Sequence, residues 1–151
     1  TTDEKFKVYV DFAHTPNALQ QVLTNLKNKG NRILLVMGSA GGKDASKRPK
    51  MGEIASELAD YVYFTSEDPR NEDPQEIIKE LTSLLKNNNY EIIIDRKLAI
   101  NKAIQEAQEN DIVLITGKGN DNYFEINNQI YPYSDINEVI NTLKNIKNSH
   151  P

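Results

Sequence analysis

Four short stretches of this sequence group charged side chains with glycine or proline in the way a small-molecule site requires. The first, Asp11-Phe12-Ala13-His14-Thr15-Pro16-Asn17, offers a carboxylate and an imidazole just ahead of a Thr-Pro pair that reads as a helix cap and first turn. The second, GSAGGKDASKRPKMGE from Gly38 to Glu53, sets Lys43, Lys47 and Arg48 beside Ser39 and Ser46. The third is Glu67-Asp68-Pro69-Arg70-Asn71, and the fourth is GKGNDNY from Gly117 to Tyr123. Glycines at 117 and 119 let a ligand approach the backbone closely. An arginine presents a fork of donors to a carboxylate, while Asp68 or Asp121 can accept from an ammonium, so the third and fourth loops together suit an amino acid. Each loop taken alone is also an ordinary turn with solvated charges.

The second stretch has the residues of a phosphate-binding loop in the wrong order. Such a loop needs G-x-x-x-x-G-K-[ST], with the hydroxyl residue placed where the loop becomes a helix. Here Gly42-Lys43 is followed by Asp44. With no cysteine, and with His14 and His150 far apart, no metal site of the chain's own is expected, although magnesium could arrive with a nucleotide. A net charge of -4 without a basic block argues against nucleic acid as the main partner. No apolar run approaches the roughly 18 residues of a membrane span, and TTDEKFKVYV lacks the regions of a secretory signal. A cytoplasmic protein with no membrane partner and a small-molecule substrate is expected.

The loops must be held by elements, and the elements alternate. β-rich runs lie at Lys7 to Phe12, Arg32 to Gly38, Tyr61 to Ser66, Tyr90 to Asp95 and Asp111 to Gly117, several apolar without alternation, as strands buried on both faces are. Between them apolar residues recur at helical spacing: Leu19, Val22, Leu23 and Leu26; then Met51, Ile54, Ala55, Leu58 and Ala59. A third helix opens on Asp73-Pro74-Gln75-Glu76 and is expected to bury Ile77, Ile78, Leu81, Leu84 and Leu85. A fourth, about Arg96 to Gln108, uses Leu98, Ile100, Ala103, Ile104 and Ala107, and a last one after Ser134 uses Ile136, Val139, Ile140 and Leu143. YFEINNQIYPY reads as a hairpin about Asn127-Asn128, and NIKNSHP as a frayed end. Right-handed crossovers then give an α/β, Rossmann-like fold: a mostly parallel sheet of about five to six strands with helices on both faces, and a C-terminal hairpin plus helix. At 151 residues the chain is expected to be one domain, residues 1–151. Ligands of such sheets bind outside the carboxyl ends of the strands, where all four loops fall.

The ordered set VDFAHTPNAL, KRPKMGEIA, SEDPRNEDP, GKGNDNY and YSD resembles the C-terminal domain of the Mur ligases, closest to the E-type branch that adds diaminopimelate or lysine as third amino acid. The resemblance covers about Val8 to Asp135. It implies that the chain is the amino-acid-binding part of an ATP-dependent amide-forming ligase acting on UDP-N-acetylmuramoyl-L-alanyl-D-glutamate in peptidoglycan synthesis. It also implies that the N-terminal and central ATPase domains, with the P-loop and magnesium ligands, are absent from this chain, that the central domain is a partner, and that the domain alone is inactive. In that family ATP phosphorylates the substrate carboxylate and the incoming amine attacks the acyl phosphate. By the same resemblance Asp11, His14 and Asn17 would face the nucleotide, and Lys43, Asp68, Arg70, Gly117 and Asp121 would bind the amino acid.

Several positions depart from the family pattern. Lys43 stands for arginine, Asp68 for asparagine, Asn120 for histidine and Asp121 for glutamate, whereas Arg70 and Gly117 agree. Lysine lacks the bidentate fork, and aspartate reaches roughly 1.5 Å less far than glutamate. Arg70 favours a ligand with a distal carboxylate, hence diaminopimelate, whereas Asp68 favours a basic side chain such as that of lysine. Alternatives are a folylpolyglutamate-synthase-like ligase, against which the DPR and GKG loops speak, and a stand-alone nucleotide- or amino-acid-binding module.

Overall fold

A computed structural model of the chain describes residues 6–42 and 45–149, with side chains to residue 146. The layering follows from the second strand, β2 (Ile33–Met37), in which all five residues are buried. Successive side chains of a strand point to opposite faces. Ile33, Leu35 and Met37 accordingly join one apolar cluster, while Leu34 and Val36 join another. A strand with two buried faces needs helices on both, and the chain supplies them.

β1 (Lys7–Asp11) leads through α1 (Pro16–Lys27) to β2, then through a short 3-10 turn (Ala45–Lys47) and α2 (Arg48–Leu58) to β3 (Tyr61–Phe64). α3 (Pro74–Leu81) leads to β4 (Tyr90–Ile92), and α4 (Arg96–Glu106) returns to β5 (Ile112–Thr116). The five strands are parallel, in the order β1-β5-β2-β3-β4. The chain thus steps one way across the sheet through α1, α2 and α3, then jumps back to insert β5 between β1 and β2. Right-handed crossovers in opposite directions put their helices on opposite faces. α1, α2 and α3 cover the face of Leu35 and Phe64. α4 and α5 (Asp135–Ser149) cover the face of Val36 and Tyr63.

The helix starts carry the caps expected at Thr15 and Asp73, and a third at Asp95. Thr15 accepts from the Ala18 N–H, Asp73 from Gln75, and Asp95 from Lys97 and Leu98. β6 (Tyr123–Ile126) and β7 (Gln129–Pro132) form the hairpin, turning on Asn127 and Asn128 at φ 51° and 64°, the left-handed region that asparagine tolerates.

Some expectations need correction. α3 ends at Leu81 because the Thr82 and Ser83 hydroxyls donate to the carbonyls of Ile78 and Glu80, so Leu84 is exposed. Leu98, Ile136 and Ile140 are exposed rather than facing the sheet, which receives Ala99, Ile100, Ala103, Ile104 and Val139 instead. β4 is three residues long, and α5 runs to Ser149 instead of fraying from Asn145.

Candidate functional site

The loops that follow β1, β2, β3 and β5 meet at the carboxyl edge of the sheet, and backbone geometry begins the site. Asp11 ends β1 and turns its carboxylate back onto the Ala13 N–H at 2.8 Å. His14 is exposed, with Nδ1 3.0 Å from the Phe12 carbonyl and its ring edge-on to the Phe12 ring at 5.0 Å. A carbonyl only accepts, so Nδ1 carries the proton and Nε2 faces outward as an acceptor in the neutral ring. Asn17 is exposed on the first turn of α1.

A cavity of about 230 Å³ opens between these loops, lined by His14, Thr15, Gly38, Ser39, Ala40, Lys47, Met51 and Glu67. Glu67 was not among the expected site residues, and it is the most unusual group at this edge. It is 6% exposed, and among the described residues none donates a hydrogen bond to its carboxyl. Burial pushes its pKa up to about 7; neighbouring Asp68 adds to the shift, while Arg96, Lys118 and His14 oppose it. Gly117 makes room for it: a Cβ there would lie 2.0 Å from Glu67 Oε1, and φ is +114°. Gly117 thus meets the site through Glu67, a contact that no local sequence pattern announces.

The basic second loop is only partly solvated. Lys47 is exposed and lines the cavity, but Arg48 is 1% exposed. Its guanidinium grips both Glu72 oxygens at 3.0 Å, Glu80 at 3.2 Å and the Ala40 carbonyl at 3.1 Å. Glu72 also accepts from the Gly42 N–H at 2.6 Å; its carboxyl is held below the usual range by Arg48 first and by that N–H second. Lys43 lies outside the described residues.

Asp68 and Arg70 have φ of 35° and 54°, a conformation that costs a non-glycine residue energy and persists only where neighbours hold it. The hairpin supplies that constraint. The Arg70 N–H donates to the Glu125 carbonyl at 3.0 Å, the Asn127 N–H donates to the Arg70 carbonyl at 2.8 Å, and Arg70 pairs as an isolated bridge with Ile126. Asp68 is 5% exposed; its carboxylate takes both contacts of the buried Lys118 Nζ, at 2.9 and 3.0 Å, and the Glu125 N–H at 3.0 Å. Lys118 Nζ also lies 4.9 and 5.1 Å from the ring centres of Tyr123 and Phe124. The carboxylate of Asp68 is therefore engaged from within. Arg70 is one-quarter exposed, and it lines a second, open cleft of about 690 Å³ with Phe124 and Ile126. Asp121 is half-buried in the loop beyond Gly119, its N–H bonded to the Lys118 carbonyl at 2.9 Å.

Arg96, also unpredicted as part of the site, ties two loops together. It is 2% exposed and donates to the carbonyls of Ser66 at 3.1 Å and Thr116 at 2.8 Å, the residues just before Glu67 and Gly117. Asp135 receives its Nε and Nη2 at 2.9 and 2.7 Å, and the Tyr133 hydroxyl donates to Asp135 at 2.6 Å. The YSD segment is thus an anchor beneath the site rather than part of its surface. Chemically, the edge offers a buried acid with no hydrogen-bond partner among the described residues, suited to a cation, and a guanidinium with donors to spare for an anion. Among the described residues no group of three His, Asp or Glu side chains is placed to hold a metal ion. Nor is any described helix long and apolar enough to cross a membrane.

A family model described as "Mur ligase, glutamate ligase domain" matches residues 1–119. A UDP-N-acetylmuramoyl-L-alanyl-D-glutamate--2,6-diaminopimelate ligase of Oceanobacillus iheyensis is 44% identical over 144 residues, which span 93% of this chain and 29% of that protein. A namesake from Caldanaerobacter subterraneus is 39% identical over 92% of this chain and 29% of its own length. The chain therefore spans under one-third of the length of these curated relatives. A solved structure of a UDP-N-acetylmuramoyl-L-alanyl-D-glutamate--2,6-diaminopimelate ligase superposes with a TM-score of 0.92 at 37% identity, covering 97% of this chain and 31% of that one. A bifunctional folylpolyglutamate synthase/dihydrofolate synthase from Yersinia pestis shares the fold at 24% identity and a TM-score of 0.59, covering 77% of this chain and 26% of that one.

Proposed function

This chain belongs to the Mur ligase family, as its glutamate ligase domain, and on that premise we propose that it is the C-terminal, amino-acid-binding domain of a cytoplasmic ATP-dependent ligase. Residues 1–151 act as one domain beside N-terminal and central domains that are not in this chain. The reaction joins the amine of a diamino acid, 2,6-diaminopimelate or L-lysine, to the carboxylate of UDP-N-acetylmuramoyl-L-alanyl-D-glutamate. ATP phosphorylates that carboxylate, the free amine attacks the acyl carbon, and phosphate leaves as the amide forms. The central domain supplies the phosphate cradle and the magnesium ligands. Holding the amine at attack distance can lower the barrier by several kcal/mol, and that is the part assigned to this chain.

The observation that carries this reading is the loop after β3, where Glu67 and Arg70 offer an acid without a hydrogen-bond partner among the described residues and an incompletely used guanidinium. A diamino acid brings an ammonium for the first, and diaminopimelate brings a second carboxylate for the second. Asp11, His14 and Asn17, at the end of β1 and the start of α1 on the same edge of the sheet, serve the nucleotide; Lys43 and Asp121 serve the amino acid. The test is ATP-dependent product formation by the complete protein with UDP-N-acetylmuramoyl-L-alanyl-D-glutamate and each of diaminopimelate, lysine and glutamate. Amide formation with a diamino acid supports the reading. Glutamate transfer to a folate acceptor, or no amino-acid-dependent phosphate release, overturns it.

A further inference from the structure

Three arginines of this chain turn the side-on edge of the guanidinium, Nε and Nη2, toward a carboxylate, two with both donors and one with Nε alone. Arg32 grips both oxygens of Asp111 at 3.1 and 2.6 Å, and Arg96 grips both oxygens of Asp135 at 2.9 and 2.7 Å. At Arg70 only half of that edge is used: Nε donates to Glu125 Oε1 at 3.2 Å, and Nη2 has no partner among the described residues. Nη1 is turned the other way, onto the Gly41 carbonyl at 2.5 Å. The backbone on both sides is fixed, because Arg70 and Glu125 are joined through the Arg70 N–H and the Glu125 carbonyl, and the Glu125 N–H is tied to Asp68. Glu125 is thus delivered to Arg70 by the hairpin and cannot drift far from it.

We propose that Glu125 is a specificity-determining residue: by holding the Arg70 Nε–H it competes with the second carboxylate of a diamino dicarboxylic acid and so sets how strongly such a ligand is preferred over one lacking that group. This rests on the ligase reading above. A ligand carboxylate arriving at the side-on edge of Arg70 meets Nη2, which has no partner among the described residues, and a neighbouring negative charge. To gain the paired grip seen at Arg32 and Arg96 it must displace Glu125, whose side chain is 30% exposed and so has water to turn to. A ligand ending in an ammonium, such as L-lysine, makes no claim on Arg70, and Glu125 does not oppose it. The acid at 68 cannot take over this role, since its carboxylate is committed to Lys118 and the Glu125 N–H.

The test compares the complete ligase with its Glu125→Gln and Glu125→Ala variants, measuring kcat and KM for meso-2,6-diaminopimelate and for L-lysine. Glutamine keeps the shape and an acceptor oxygen but removes the charge; alanine removes both. The ratio of kcat/KM between the two substrates is independent of the fraction of protein that is folded, so a damaged variant still reports. The expected result in both variants is a ratio raised toward diaminopimelate by at least about fivefold, carried by a lower KM for diaminopimelate, as removal of one nearby like charge implies. A ratio and diaminopimelate KM that stay unchanged, or move the other way, would show that Glu125 merely braces Arg70. If the unaltered enzyme uses neither amino acid, the ligase reading falls and this inference falls with it.

Discussion

Replacing Glu67 by glutamine removes a single proton equilibrium from the interior and leaves the shape of the side chain in place. Glu67 is 6% exposed, and burial raises its pKa from 4.5 to about 7. Between those two values the folded chain keeps a proton that the unfolded chain has lost. The neutral acid therefore sets the stability below pH 4.5, and stability is lost progressively as the pH rises to about 7, after which the loss is complete. A gap of that width corresponds to roughly 3 kcal/mol, at about 1.36 kcal/mol for each pH unit. Glutamine stays neutral throughout. Urea unfolding followed by tyrosine fluorescence and circular dichroism should thus find Glu67→Gln close to the unaltered chain near pH 4.5 and more stable by roughly 2 to 3 kcal/mol at pH 8. A constant offset between the two stability curves across that range would refute the reasoning, because it would mean that the acid titrates in the folded state as it does in water. An ammonium-bearing ligand should oppose the effect, since a cation beside Glu67 favours the ionised form.

Lys118→Met should destabilise the chain by about 3 to 5 kcal/mol, because it leaves the Asp68 carboxylate buried beside apolar rings; adding Asp68→Asn should return much of that loss, and a double variant no better than the single would show that the pair is not coupled. Arg70→Ala in the complete enzyme should lower kcat/KM for diaminopimelate about tenfold or more while changing that for L-lysine far less; equal losses would assign Arg70 to bracing the loop. Asp11→Ala should raise KM for ATP more than KM for the amino acid, and an unchanged ATP KM would leave Asp11 with its visible task, the turn onto the Ala13 N–H.

What could be read from the sequence was whatever depends on neighbours along the chain. The Thr15 and Asp73 caps need only the next few residues, and the Asn127-Asn128 turn needs only the tolerance of asparagine for positive φ. The buried run Ile33 to Met37 declares a two-faced strand by composition alone. Charged residues near the edge were harder to assign, because their roles are decided by partners from distant segments. Arg48 looked like part of a solvated basic loop, yet Glu72 and Glu80 draw it inside. Asp68 looked free to receive a ligand ammonium, yet Lys118, fifty positions along the chain, already occupies it. Glu67 showed the reverse: an acid beside a conspicuous Asp-Pro-Arg triplet looked like one more surface charge, and only its contact with Gly117 and the brace from Arg96 to Ser66 reveal it as the buried group.

The same contrast explains how one loop can serve recognition at all. Left-handed backbone at both Asp68 and Arg70 would relax if the loop stood alone. It is held on one side by Arg96 through the Ser66 carbonyl and on the other by the hairpin, through Arg70, Glu125 and Asn127. The strain is thus balanced by contacts made outside the loop, which leaves the Glu67 carboxyl and the Arg70 Nη2 without hydrogen-bond partners among the described residues. A loop that stabilised itself by using those two groups would have nothing left to offer a ligand, so on the proposed reading the cost of the conformation and the capacity to bind arise from the same arrangement.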